Sequence, residues 1–259
     1  MGDFLTVLRR ALPWLLVGLL SVALTTLVVL PARWLTPQVG RFTGQRVELV
    51  DATGTLWQGA ASLRLGAGHE AQSATVLPGR LHWRTAFWPL LLGRLHLDAW
   101  HDAAMRAPVP VEAGFASLRI GEGAMRLPVS LFTGLGAPFN TLALDGVLHA
   151  EWGVWRIVGA RAYGQMSLRL DEASTPLSRV RPLGSYRMAL QASGEAVDLR
   201  LSSASGPLWL DGQGRYAAGR LHFDGQARAE PARAGTLAPL LGLLGMRRPD
   251  GSVGLSYRR

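Results

Sequence analysis

The chain has 259 residues, 48% of them hydrophobic and 17% charged, with a formal net charge of +9. These are the proportions of a globular protein, not a disordered one. The absence of cysteine excludes disulfides, thiolate zinc sites and cysteine nucleophiles, and because all 27 basic residues are arginine, the P-loop lysine and Schiff-base chemistry are excluded too.

Residues 1–10 read as a short cytoplasmic N-terminus and residues 11–30, ALPWLLVGLLSVALTTLVVL, as a transmembrane helix. The stretch has no charged residue, and at ~1.5 Å per residue it reaches about 30 Å, the thickness of a bilayer core. Pro13 falls in the first turn, where its missing N–H has no helical partner to lose. Arg9 and Arg10 border the span and hold its N-terminus in the cytoplasm by the positive-inside rule. A cleaved signal peptide fits less well, because the apolar run is too long and no small-residue cleavage pattern follows it. The bulk of the chain is then expected on the far side of the membrane.

Residues 31–44 form a juxtamembrane segment with room for one helical turn before Pro37. From residue 45 to 259 the hydrophobic period changes to two, in short alternating runs broken by glycine and proline, which read as the strands of a meander. Runs are expected at residues 79–84, 93–100, 116–121, 141–152, 155–170, 185–203 and 206–230. Leu81-His82, Leu95-His96, Leu148-His149 and Leu221-His222 repeat one phrase. On a strand the leucines would face a core, and the histidines would share the other face with Arg84, Asp98, Glu151 and Asp224. Helices are expected only at 85–92, 128–135 and 236–244, the last opened by a Thr236 cap and closed by Gly245. Residues 173–181 are the best candidate for a break between two halves of the sheet. The fold class expected is therefore mainly β: a single N-terminal transmembrane helix, then a curved, mostly antiparallel sheet with a few short helices. Its concave side is expected to be filled by residues including Trp57, Trp83, Leu97, Trp209 and Phe223.

A search for chemistry finds no nucleophile elbow, no H-E-x-x-H and no G-x-G-x-x-G. Gly121-Glu122-Gly123 and Gly212-Gln213-Gly214 read as turns between strands. His96 and His101 lie five apart and so face opposite sides of a strand, which does not make a metal site. Asp171-Glu172 reads as a solvated strand end. The arginines are scattered singly, so no nucleic-acid partner is expected. No catalytic residue, cofactor or metal is expected, and the chain is read as a tethered interaction module.

Gly54-Thr55-Leu56-Trp57-Gln58-Gly59, followed by alternating Ala61, Leu63 and Leu65, resembles the signature of the type II secretion system protein N family. The N-terminal anchor with Pro31 and Trp34 is similar to that family. So is the block from Ser205 through Gly206, Pro207, Leu208, Trp209, Leu210, Asp211, Gly212, Gln213 and Gly214, and so are the leucine-rich stretch 237–245 and Asp250-Gly251. Residues 100–180 match only in general character. The resemblance implies an accessory subunit of the secretion apparatus in the inner membrane, with its bulk in the periplasm and other secretion subunits as partners. It also implies a distant likeness to AsmA-like periplasmic proteins, whose curved sheets hold lipid. A lipid-binding or lipid-transfer module is therefore the alternative. The motif glycines, Thr55, Leu56, Trp57, Pro207 and Leu208 are expected to serve the fold, with no catalytic part.

Overall fold

The computed structural model describes residues 14, 17–19, 21–22, 25–26, 29–66, 74–135, 139–246 and 248–258. Those described between 14 and 26 are helical. The remainder of the expected span lies outside the described residues, among which no helix is long and apolar enough to cross a membrane.

Sixteen strands form one sheet. In chain order they are β1 (Val47–Gly54), β2 (Gln58–Leu65), β3 (Thr75–Val76), β4 (Leu81–Thr85), β5 (Leu95–His101), β6 (Val109–Ala113), β7 (Ser117–Ile120) and β8 (Gly123–Pro128). There follow β9 (Asp145–Trp152), β10 (Trp155–Val158), β11 (Arg161–Ser174), β12 (Gly184–Gly194), β13 (Ala196–Ser205), β14 (Leu208–Ala217), β15 (Arg220–Ala229) and β16 (Val253–Arg258). Every pairing is antiparallel. β7 and β8 run on from each other and pair with β10 and β9 in one continuous ladder, interrupted at Gly121-Glu122 and Gly153-Val154. β9 and β10 together line β11. The sheet is thus a meander in which neighbours in space are neighbours in the chain.

Because side chains alternate between faces, the register tracks one apolar face across the molecule. It passes through Leu63, Ala61, Leu81 and Trp83, then Leu97, Val111, Ile120 and Trp155. Over the second half it continues through Leu168, Met188, Leu201, Leu210, Ala227 and Val253. Among the described residues, α-helices build the hydrophobic clusters at its two ends. At the first, the 3₁₀ turn Ala32–Trp34 and α1 (Leu35–Phe42) lay Ala32, Leu35 and Val39 on Leu49, Ala61 and Trp83. At the last, α4 (Ala234–Leu244) buries Leu237, Leu240 and Leu241 against Leu208, Ala227 and Val253. The 3₁₀ segment Val129–Leu135 touches β2, β3 and β9. Strands so far apart along the meander meet one element only if the sheet curls there.

Several expectations are corrected. α1 starts before Pro37 and runs through it, because a proline in the first turn forfeits no intrahelical bond. α2 (Phe87–Leu91) is shorter than residues 85–92, and α3 (Phe139–Leu142) falls inside the expected run 141–152 and just before it. α4 begins at Ala234 behind a 3₁₀ turn, so Thr236 is not its cap. Gly212 and Gly214 lie inside β14, not in a turn. Asp171 and Glu172 form a β-bulge within β11, with Glu172 at φ 53°. Residues 173–181 break nothing, since β11 and β12 pair directly. Leu56 sits in the β1–β2 turn, outside the alternation. β6 and β8 were not among the expected runs. Trp209 is 61% exposed; it pairs with Arg228 on the polar face.

These placements predict where truncation hurts. Trp83→Ala should cost about 3–5 kcal/mol and Leu237→Ala about 2–5, as buried large-to-small changes do. Trp209→Ala should stay within ~0.5 kcal/mol. Urea unfolding followed by circular dichroism separates the two groups, and equal losses at Trp83 and Trp209 would contradict the face assignment.

Candidate functional site

The first motif is a seat for one tryptophan. Gly54 has φ 86°, a left-handed conformation that a side chain would strain, and a Cβ there would run into the backbone of Gln58 and Gly59. The Thr55 hydroxyl accepts the N–H groups of Trp57 and Gln58 at 3.3 and 3.2 Å and ties the turn shut. The Trp83 ring lies over Gly59, where a Cβ would collide with it, and its indole N–H donates to the Thr55 carbonyl at 3.2 Å. Trp57 meets Phe87 of α2 edge-on, with ring centroids 5.0 Å apart, while the Leu56 N–H donates to the Leu30 carbonyl at 2.9 Å.

The second motif repeats the device. Gly206, at φ 105°, packs directly on Gly184 and the Leu183 carbonyl, with no room for a Cβ. Pro207 follows, its carbonyl accepting the Glu230 N–H at 2.8 Å. Leu208 is buried under α4, and its carbonyl accepts the Tyr186 hydroxyl at 2.9 Å. Burial pushes the Tyr186 ionisation well above the usual phenol range. Phe223 lies across Gly212 and Gly214, whose Cβ atoms would approach its ring to 2.6 and 2.9 Å. Trp152 over Gly123 and Trp155 over Gly164 make the same arrangement elsewhere. The two motifs lie far apart along the sheet and do not converge on a site. Arg9 and Arg10 are outside the described residues.

The histidines of the repeated phrases lie on the polar face: His82 stacks on Trp100 at 5.3 Å, and His149 approaches Asp171 at 3.5 Å. Leu81, Leu95, Leu148 and Leu221 are all half-buried, and Leu81 packs against the first core cluster. His69 is outside the described residues. No cluster of three metal-ligating side chains occurs among the described residues. A hollow of about 920 Å³ lies on the polar face of β9 and β11–β15, lined by Glu151, Asp198, Arg200, Arg215, His222 and Asp224 among others. Arg215 and Asp198 lie 3.5 Å apart across it. It is wide and mixed in charge, without the paired nucleophile and base that a covalent mechanism needs.

One buried titratable group escaped the sequence reading. His101, fully buried on the apolar face, accepts the N–H groups of Ala103 and Ala104 at Nδ1, so Nε2 carries its proton. Burial lowers its pKa below 6.5, opposed by the Asp102 carboxylate and reinforced by nearby His82. Asp102 is itself held below its ordinary value, chiefly by the Arg80 backbone N–H. Only the register of β5, which places His101 in phase with Leu97 and Ala99, reveals the burial.

Two predictions follow from this geometry. As pH falls below about 6.5 the unfolded chain takes up a proton that folded His101 refuses, so stability drops toward acid, ahead of the loss at Asp102 nearer pH 4. His101→Asn, which keeps an acceptor, should flatten the first step in urea midpoints measured across that range; an unchanged profile would clear His101. Separately, Gly206→Ala should destabilise by more than ~1 kcal/mol, from positive φ and close packing together, as thermal unfolding would register.

Comparison with known proteins gives one family. The model of type II secretion system (T2SS), protein N, matches residues 45–256. No curated protein and no solved structure matches the chain. The match takes in both glycine–aromatic motifs and the whole meander except the last two residues of β16, and the chain belongs to the type II secretion system protein N family.

Proposed function

We propose that the protein is an inner-membrane-anchored accessory subunit of the type II secretion system, a structural part that supports export of folded proteins and makes contact with other secretion subunits. The observation that carries this reading is the family match over residues 45–256. The apolar run 11–30 with Arg9 and Arg10 at its edge supports a single span with the N-terminus in the cytoplasm and the sheet in the periplasm. The glycine and aromatic residues of both motifs serve to seat side chains, as a scaffold requires.

Crosslinking from intact membranes, with a photoreactive residue at exposed Trp209, should capture other secretion subunits, and loss of the chain should leave exported proteins in the periplasm. A periplasm-active reporter should work after Arg259 and fail after Arg10. Normal export without the chain, together with no captured subunit, would refute the role.

A second reading is favoured by one observation. Across β11–β13 the apolar residues Met166, Leu168, Met188, Leu190, Leu199 and Leu201 are only half-buried, and the helices α1 and α4 pack on the sheet's ends. An uncovered apolar face is what a lipid-binding module presents. Mass spectrometry of the purified chain distinguishes the readings: phospholipid retained at one molecule per chain through delipidating washes favours the carrier.

A further inference from the structure

We propose that one end of the sheet rests on the bilayer surface as a second membrane contact, beside the N-terminal span. This rests on the reading of residues 11–30 as that span. The end in question gathers the turns at residues 55–57, 86–94, 114–116, 159–160, 195 and 218–219, and it is contiguous. The chain enters the domain there, with Pro31 bridged to Thr55 and the Leu30 carbonyl accepting the Leu56 N–H. The Thr85 N–H donates to the Trp57 carbonyl at 2.7 Å, which joins the next connection. The Phe115 ring lies against Gly93, and the Gly159 N–H donates to the Ala116 carbonyl at 2.9 Å.

Along this end large apolar side chains point away from every core. Trp88 and Leu92 are each 76% exposed, Phe115 97% and Val158 56%. Tryptophan and phenylalanine at loop tips suit the membrane interface, where an amphipathic ring stays half solvated. The charge agrees. Those turns hold a single acidic residue, Glu195, and it is paired with Arg161 at 3.7 Å. Arg94 is exposed among them, placed for anionic headgroups.

The occupant follows from where the chain comes from. Residue 30 ends a 20-residue uncharged run and is already hydrogen-bonded to the sheet, so no linker separates this end from the bilayer. At ~4.8 Å per strand the exposed apolar groups extend the contact sideways by tens of ångströms. A span alone leaves a domain free to pivot; a row of interfacial anchors fixes its strands upright.

The absence of cysteine makes single-site labelling clean. The full chain, reconstituted in phosphatidylethanolamine–phosphatidylglycerol vesicles, would carry an environment-sensitive fluorophore at Trp88→Cys, Phe115→Cys, Leu177→Cys or Val22→Cys. Labels at 88 and 115 should lose most of their emission to nitroxide-bearing lipid and little to aqueous iodide, whereas the label at 177, also exposed but at the opposite end, should do the reverse. Aqueous quenching at 88 and 115 overturns the proposal. If Val22 is then still lipid-shielded, the span stands and only the second contact falls; if Val22 is also aqueous, both fall. Lipid quenching at 88 and 115 with Val22 in water would keep the contact and remove the span.

Discussion

The structure depends on a ring laid flat over a glycine of the neighbouring strand. Among the described residues most of this sheet has no second layer, so its apolar face finds cohesion in its own plane. An aromatic side chain standing upright on such a face would leave most of its surface in water. Laid across a glycine, it covers backbone and is itself partly covered, which recovers burial at ~25 cal/mol per Å² without a facing element. Phe223 over Gly212 and Gly214 does this in the second motif, and Trp152 over Gly123 and Trp155 over Gly164 do it elsewhere on the sheet, while Trp83 over Gly59 in the first motif is covered by α1 as well. The cost is the entropy of glycine inside strands, roughly 0.5–1 kcal/mol each, which the seated ring offsets.

That device accounts for what was legible. The period of two and the scarcity of helix were plain from alternation, and the meander followed because alternating runs with few helices between them have no crossovers with which to pair in parallel. The misreadings have physical causes. Gly212-Gln213-Gly214 looks like a turn because glycine usually marks one; its true role depends on Phe223, a strand away, which no local window contains. Trp209 is expected on the filled side of the sheet, but its neighbours Leu208 and Leu210 occupy that side and force it to the other. Phase outranks hydrophobicity on a strand. β6 was hidden by Pro110, which gives up no ladder bond where its missing N–H is not required.

The candidate site was legible in a different way. Its motifs are recognisable as short strings, yet their residues bond to partners distant in sequence: Thr55 to Trp83, Leu208 to Tyr186. His101 belongs with these cases, since nothing in its neighbours announces a buried imidazole. What a string records is the demand for glycine and a small hydroxyl at fixed positions; the partner that creates the demand is visible only once the register is known.

A meander that uses only chain-adjacent pairings also bears on how such a protein is put in place. Each strand finds its partner in the segment just before it, so loop closure costs little at every step. The first core, where α1 packs on β1, β2 and β4, is complete before the second half of the chain is needed. The sheet can therefore build outward from its N-terminal core, ending with α4 and β16. The middle strands β11–β13, whose apolar residues stay half-buried among the described residues, gain least from either helix-covered end. A further layer over them would come from beyond the described elements, which suits a subunit that works beside others.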